Sequence, residues 1–340
     1  VGVNSYIARS LGAGDKEAAE NAPAVSMVLT AVHYVLLAAL SCLCIPAFVR
    51  MFTDNPAIRS MCLSYGYIVM AFSFGQLFHI NAEKLLQATG HMTAPLVMVL
   101  IGCLINVVLD PIMIFGLFGF PALGVAGAAI ATVIGQIVSG AVGVWLIARG
   151  KCGLPLKGFR RSMVTRQVLR QIYGVALPSS MLMALPSVLV GGLNRILSGF
   201  SDMAVTVFGV YYKLQTFVYM PVNGLVQGLR PVIAFNYGAG DLKREKASIR
   251  ISLLISVSIM AAGALLSQLI PVPVLRIFNS DPDMLSMGET ALRIISIGFI
   301  PSALGLIVSA FFESIGKGLP SLSVTLLRQL VLVLPLALLL

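Results

Sequence analysis

The sequence predicts an all-α polytopic membrane protein built as two parallel six-helix repeats. Three observations carry that prediction. Of the 340 residues, 58% are hydrophobic and only 11% charged, with a mean hydropathy of +0.95, whereas a soluble domain carries about 25% charged residues. Apolar stretches of about 20 residues, long enough to cross the hydrocarbon core, recur along the whole chain. Finally, the chain matches itself at an offset of 226 residues, loops included.

Spans are expected near 23–47, 60–88, 93–117, 122–148, 172–198, 203–236, 251–272, 286–314 and 319–340. Gly, Ser, Thr and Ala run through most of them, and the alternating pattern of a barrel with short turns is missing, so the spans are helices. Before the first span stands Gly12-Ala13-Gly14-Asp15, whose glycines permit a tight turn and whose Asp caps the next helix. The second span ends with Glu83 and Lys84, read as an end-of-helix pair or as side chains snorkelling to the interface, as is Glu313. Within the third, Asn106 and Asp110 are four residues apart on one helix face, and Pro111 follows. The fourth opens on Gly124, Gly127, Ala128, Ala129 and Ala131, a pattern for close helix contact. Pro221 and Pro231 lie inside 203–236 and could kink it. The last run, Leu-rich through Leu340, stops in the middle of an apolar stretch, and the chain opens on Val1; a fragment is expected.

Charge is placed unevenly. Arg149, Lys151, Lys157, Arg160, Arg161, Arg166 and Arg170 share one loop without an acid, which makes that loop cytoplasmic. Alternation then puts the loops of Lys16, His91, Lys243 and Lys317 on the same side, and Asp54, Asp202, Asp281 and Asp283 outside. A net charge of +10 located there suits anionic lipid headgroups better than nucleic acid. The five cysteines (Cys42, Cys44, Cys62, Cys103, Cys152) have no metal or redox spacing and read as small buried residues. The histidines are too scattered for a metal site. No cofactor is expected, and no nucleophile with a base, catalytic carboxylate pair or nucleotide motif points to an enzyme or an ATP-driven pump.

The self-match places Gly2 on Gly228, Ile7-Ala8 on Ile233-Ala234, Gly12 to Asp15 on Gly238 to Asp241, and 49–56 on 275–282, with Arg50, Phe52 and Pro56 on Arg276, Phe278 and Pro282. Apolar helices match by chance at Ala or Leu, but not in loops. Six helices separate the copies, so both enter from the same side, one of the two arrangements found in secondary transporters. The domains follow: 1–150 as an amino-terminal lobe without its first helix and most of its second, 151–171 as a basic cytoplasmic linker, and 172–340 as a carboxyl-terminal lobe without its last helix. Nine to ten of twelve helices are expected.

The segments 83–90, 106–136, 209–241 and 309–321 together resemble the multidrug and toxic compound extrusion (MATE) family of cation-coupled exporters, close to its Gram-positive multidrug-exporter branch. The major facilitator superfamily also has parallel six-helix halves, but its basic signature loop is not visible. The resemblance implies a multi-pass, bacterial-type plasma-membrane protein, monomeric, exporting cationic small molecules by alternating access in exchange for H⁺ or Na⁺. It also implies a membrane carboxylate network in the amino-terminal half, onto which Asn106, Asp110 and Thr132 map; a first-helix Asp of that network has no counterpart here.

Ionised groups at mid-membrane cost roughly 2.5–3.5 kcal/mol, which makes each a functional candidate. Asp110 is read either as the proton carrier or as a near-interface residue solvated from outside. Along 203–236, Phe208, Tyr212, Gln215, Tyr219 and Asn223 lie within an arc of about 120°. Aromatic faces with neutral polar groups suit a lipophilic cation; the same face also suits ordinary packing. A flippase for lipid-linked sugars would share the architecture but want a strongly cationic cavity, and a truncated, inactive chain is the remaining alternative.

Overall fold

The computed structural model describes residues 1–51, 53–150, 153–154, 158–278 and 281–327. Lys151, Cys152, Lys157, Arg328 and most of the expected last span lie outside the described residues. The amino-terminal helices are α1 (Gly2–Gly12), α2 (Lys16–Arg50), α3 (Pro56–Ala71), α4 (Phe74–Ala88), α5 (Thr93–Phe115) and α6 (Val125–Ala148). They are followed by α7 (Arg166–Leu197), α8 (Asp202–Gly238), α9 (Leu242–Leu269), α10 (Pro271–Arg276), α11 (Pro282–Ser296), α12 (Phe299–Ser314) and α13 (Gly318–Leu326). Among the described residues there is no strand.

Helix ends obey the repeat. Gly14 and Gly240 take φ of +75° and +71°, the left-handed conformation that glycine adopts without cost. The following Asp15 accepts a hydrogen bond from Ala18 N and Asp241 from Arg244 N, both at 3.0 Å. The two loops are therefore turn-plus-cap devices. Asn55 and Asp281 likewise cap α3 and α11, each of which has proline in its first turn. The span expected over 60–88 is broken, with α3 and α4 meeting at 47°, and that over 286–314 is broken at 48° between α11 and α12. The breaks, at Phe72-Ser73 and Ile297-Gly298, correspond under the repeat to within one residue.

Two compact units form. One contains Asp15–Thr165, the other Val1–Gly14 together with Arg166–Leu340. The division differs from the sequence expectation at the start of the chain, where α1 belongs with the carboxyl-terminal helices. The cause is a glycine contact with α8: a Cβ on Gly12 would lie 2.0 Å from Phe235 O, and one on Gly238 would lie 2.2 Å from Arg9 O. Arg9 matches Phe235 and Gly12 matches Gly238 at the 226-residue offset, so this contact is its own image under the repeat. Ile7, Ala8, Ile233 and Ala234 are completely buried beside it.

In the unit 15–165, α6 is the central helix, packing on α3, α4 and α5. Small residues set the spacing: Gly75 and Gly140 bring α4 against α6, while Gly102, Gly127 and Gly135 bring α5 against it. Gly127 of the expected small-residue stripe makes this contact, but Gly124 instead begins α6 at φ +56°. The other unit has its main apolar core between α8, α9, α11 and α12, around Met260, Met284, Leu292 and Phe299. Leu36, Leu40, Leu43 and Leu104 are exposed, as lipid-facing positions are. Cys44, Cys62 and Cys103 are exposed too, and Cys42 is intermediate. That corrects the expectation of buried cysteines: a thiol is apolar enough to sit on such a surface.

Candidate functional site

The polar cluster of the amino-terminal repeat is built across α5 and α6. Gly102 and Gly135 allow the two backbones to approach until a Cβ on Gly135 would lie 2.8 Å from Gly102 O. At that spacing short side chains reach across. Asn106 Nδ2 donates to Asp110 Oδ1 and to Thr132 Oγ1, each at 3.3 Å. One amide thus spends both its hydrogens on a carboxylate one turn away and a hydroxyl on the neighbouring helix. The three residues, each half-buried, are the ones expected to couple ions. Pro111 inside α5 donates no hydrogen bond to the carbonyl one turn back, at Val107.

A cavity of about 240 Å³ opens beside the cluster, lined by Gln76, His79, Asn106, Thr132, Gln136 and Ser139 among others. An open groove of about 460 Å³ along α3, near Asp54 and Arg59, is larger, but it is formed largely by one helix and does not enclose anything. His79 and Ser139 are buried and bonded to each other at 2.7 Å. Sequence reading missed His79, Gln136 and Ser139. The signal was present: Gln76 and His79 stand three apart, on one helix face.

The α8 face divides. Tyr219 packs edge-on against Phe299, centroids 5.9 Å apart, and Phe208 tilts against Tyr211 at 6.1 Å; both join the apolar core. Tyr212 and Asn223 are exposed and Gln215 is half-exposed, so three of the five candidates are free of that packing. Glu313 departs from its expected place at the interface. It is 2% exposed, accepts a hydrogen bond from Ser179 Oγ at 2.8 Å, and pairs with Arg230 at 2.6 Å. Glu83 does form a pair, with Lys84 at 2.9 Å, and accepts from Gln87 at 2.8 Å.

Residues 1–112 and 178–339 match the MatE family. The chain belongs to the MatE family. Among curated relatives, multidrug export protein MepA of Staphylococcus haemolyticus is 22% identical over 328 residues, covering 94% of this chain and 69% of that protein. The FAD transporter of Shewanella oneidensis is 24% identical over 99% of this chain and 74% of its own length. The probable multidrug resistance protein NorM of Thermotoga maritima is 24% identical, covering 96% and 70%. The solved outward-facing conformation of a multidrug resistance MATE family transporter of the MOP superfamily superposes with a TM-score of 0.91 at 25% identity, covering 99% of this chain and 74% of that one. This MatE protein is accordingly an all-α, multi-pass plasma-membrane protein of a transporter family.

Proposed function

We propose that this MatE protein is a secondary antiporter that exports amphipathic organic cations by alternating access while H⁺ or Na⁺ enters. The observation that carries the reading is the cluster of Asn106, Asp110 and Thr132, whose carboxylate is held by an amide inside a span with no other acidic residue. A carboxyl group there can gain and lose a proton, and each change alters a hydrogen-bond network that ties α5 to α6. The exposed Tyr212 and Asn223 with Gln215 offer a π face and neutral polar groups, which suit a lipophilic cation. Relatives named as a multidrug export protein and a probable multidrug resistance protein support drug-like substrates.

One proton moving through 100 mV supplies about 2.3 kcal/mol, enough for roughly fiftyfold accumulation. The test is ethidium movement in everted vesicles containing the protein, driven in turn by an imposed pH gradient and an imposed Na⁺ gradient. Ethidium should move under one of them in the wild type and under neither in Asp110→Asn. Undiminished transport by that variant would sink the assignment of Asp110. The relative named as an FAD transporter makes flavin the competing substrate: movement of FAD without ethidium would replace the cation reading.

A further inference from the structure

The cavity between α4, α5 and α6 contains a second proton-accepting group that the reading above does not use. Ser139 Oγ is 2.5 Å from Met98 O and 2.7 Å from His79 Nδ1. A carbonyl oxygen can only accept, so the one hydroxyl hydrogen of Ser139 goes to Met98. The serine oxygen must then accept from His79, which fixes the hydrogen on Nδ1 and leaves Nε2 as the free acceptor of the neutral ring. Helices α4 and α6 approach closely here, with a Cβ on Gly140 only 3.2 Å from the backbone nitrogen of His79, so that Ser139 reaches the ring.

His79 shares the cavity with Asn106 and Thr132, the partners of the Asp110 network. Gln136 Oε1, on the same cavity's wall, is buried without a hydrogen-bond donor from the protein. A buried polar acceptor beside about 240 Å³ of space is a setting in which water is retained, since a water needs only two to four polar partners and each occupies about 30 Å³ in the liquid. Charged neighbours are few. On α4, Glu83 and Lys84 follow one turn beyond His79; α5 contributes Asp110 and the thiol of Cys103; α2 carries His33 and, near its start, Lys16, Glu17 and Glu20. Helix α6 carries no ionisable side chain between Val125 and Ala148.

We infer that this cavity is a hydrated proton site in which His79 Nε2 and the Asp110 carboxyl group exchange a proton through water. Nε2 takes a proton from the adjacent water as that water takes one from the next; the chain ends at the Asp110 carboxyl, which becomes carboxylate. The reverse transfer restores both groups, so no other reactant is consumed. The inference rests on Asp110 being the coupling group.

Nitrogen-15 NMR of histidine-labelled protein in liposomes tests it without any transported drug. The chain has three histidines, His33, His79 and His91, and the signals lost in His79→Gln identify the ring. We expect the Nδ1–H tautomer with an Nε2 that takes up a proton between about pH 5 and about pH 9, with a midpoint that moves in Asp110→Asn. An Nε2–H tautomer, or a ring that stays neutral across the range, overturns the inference. Vesicle assays separate it from the broader reading. If Asp110→Asn abolishes pH-driven ethidium movement while His79→Gln leaves its rate and pH profile unchanged, the exchange is refuted and the antiporter stands. A rate that falls at least tenfold in His79→Gln, with ethidium binding retained, supports the exchange.

Discussion

Glu313→Gln should destabilise the unit that contains α8 and α12, and adding Arg230→Gln should restore most of the loss. The carboxylate lies 2.6 Å from the guanidinium, with side-chain exposures of 3% for Glu313 and 20% for Arg230. At an effective dielectric of about 20, that separation corresponds to an attraction of about 6 kcal/mol, before the cost of taking both charges out of water. Removing one partner of a buried pair typically costs about 3–5 kcal/mol, because the other charge stays buried. The partial exposure of Arg230 puts the expected cost near the lower end, about 3 kcal/mol. Glutamine keeps an oxygen to accept the Ser179 hydroxyl, so the substitution reports on charge and not on that hydrogen bond.

The repeat supplies the reason that the double variant should recover. At the 226-residue offset, Arg230 matches Asn4 and Glu313 matches Gln87, and both neutral residues are buried. Neutral residues are therefore accommodated, buried, at the matching positions of the repeat. For a unit of this size, about 2–4 °C of melting temperature accompanies each kcal/mol. Thermal melting of the purified protein in detergent should then show Glu313→Gln about 6–12 °C below the wild type and the double variant within about 4 °C of it. A single variant that melts with the wild type, or a double variant that loses as much as the two singles together, would refute the reasoning.

Three further outcomes are expected. Gly12→Leu and Gly238→Leu should each prevent recovery of folded protein on size-exclusion chromatography, because a Cβ would meet a backbone carbonyl at 2.0 and 2.2 Å. Gly14→Ala, at φ +75° with open space around it, should instead cost only about 1–2 kcal/mol. Asp15→Ala and Asp241→Ala should each lower stability by about 1 kcal/mol in thermal melts, through loss of equivalent caps; a difference above about 1 kcal/mol between them would contradict that equivalence. Tyr219→Ala should lower the melting temperature by removing the ring stacked on Phe299, whereas Tyr212→Ala should leave it unchanged and alter which cations inhibit ethidium movement.

Much of the architecture was legible because it depends on local chemistry that repeats in the chain. Hydrophobic length located seven of the nine expected spans, two of them bent, and the Gly-Asp loops, the capped prolines of 56 and 282, and the 226-residue offset are all visible as residues. The breaks near residues 72 and 297 were not, since Phe72 and Ile297 belong to continuous apolar runs and nothing in composition distinguishes a bent span from a straight one. The placement of α1 was hidden for a different reason: Gly12 and Gly238 reveal their role only when two distant backbones meet. At the site, Asn106 and Asp110 were readable from their four-residue spacing, and Thr132 only through a family resemblance. His79 and Ser139 sit 60 residues apart, and no local pattern links them. Arg230 was missed, and Glu313 was placed at the interface, because helix-end charges usually reach for water, and only tertiary packing brings a partner to the buried carboxylate.

The repeat also indicates where the chemistry has been concentrated. Caps, turns and breaks recur in both halves, so they belong to the frame. The ionisable groups inside the spans do not. Asn106 and Asp110 match Leu332 and Leu336, and His79 matches Gly305, whereas Arg230 and Glu313 match the neutral Asn4 and Gln87. Each half therefore retains one set of charges that the other lacks: a half-buried carboxylate network beside a cavity in the first, and a closed ion pair in the second. A closed pair holds its charge in both directions, because losing either partner is costly. The first network instead sets an amide beside its carboxylate and places that amide and a hydroxyl on the wall of a cavity. Under the proposed function, the amino-terminal repeat exchanges protons and the buried pair of the carboxyl-terminal one supports the frame. The two experiments above distinguish these roles: Asp110→Asn should lose coupling while melting near the wild type, and the double variant of Arg230 and Glu313 should retain coupling.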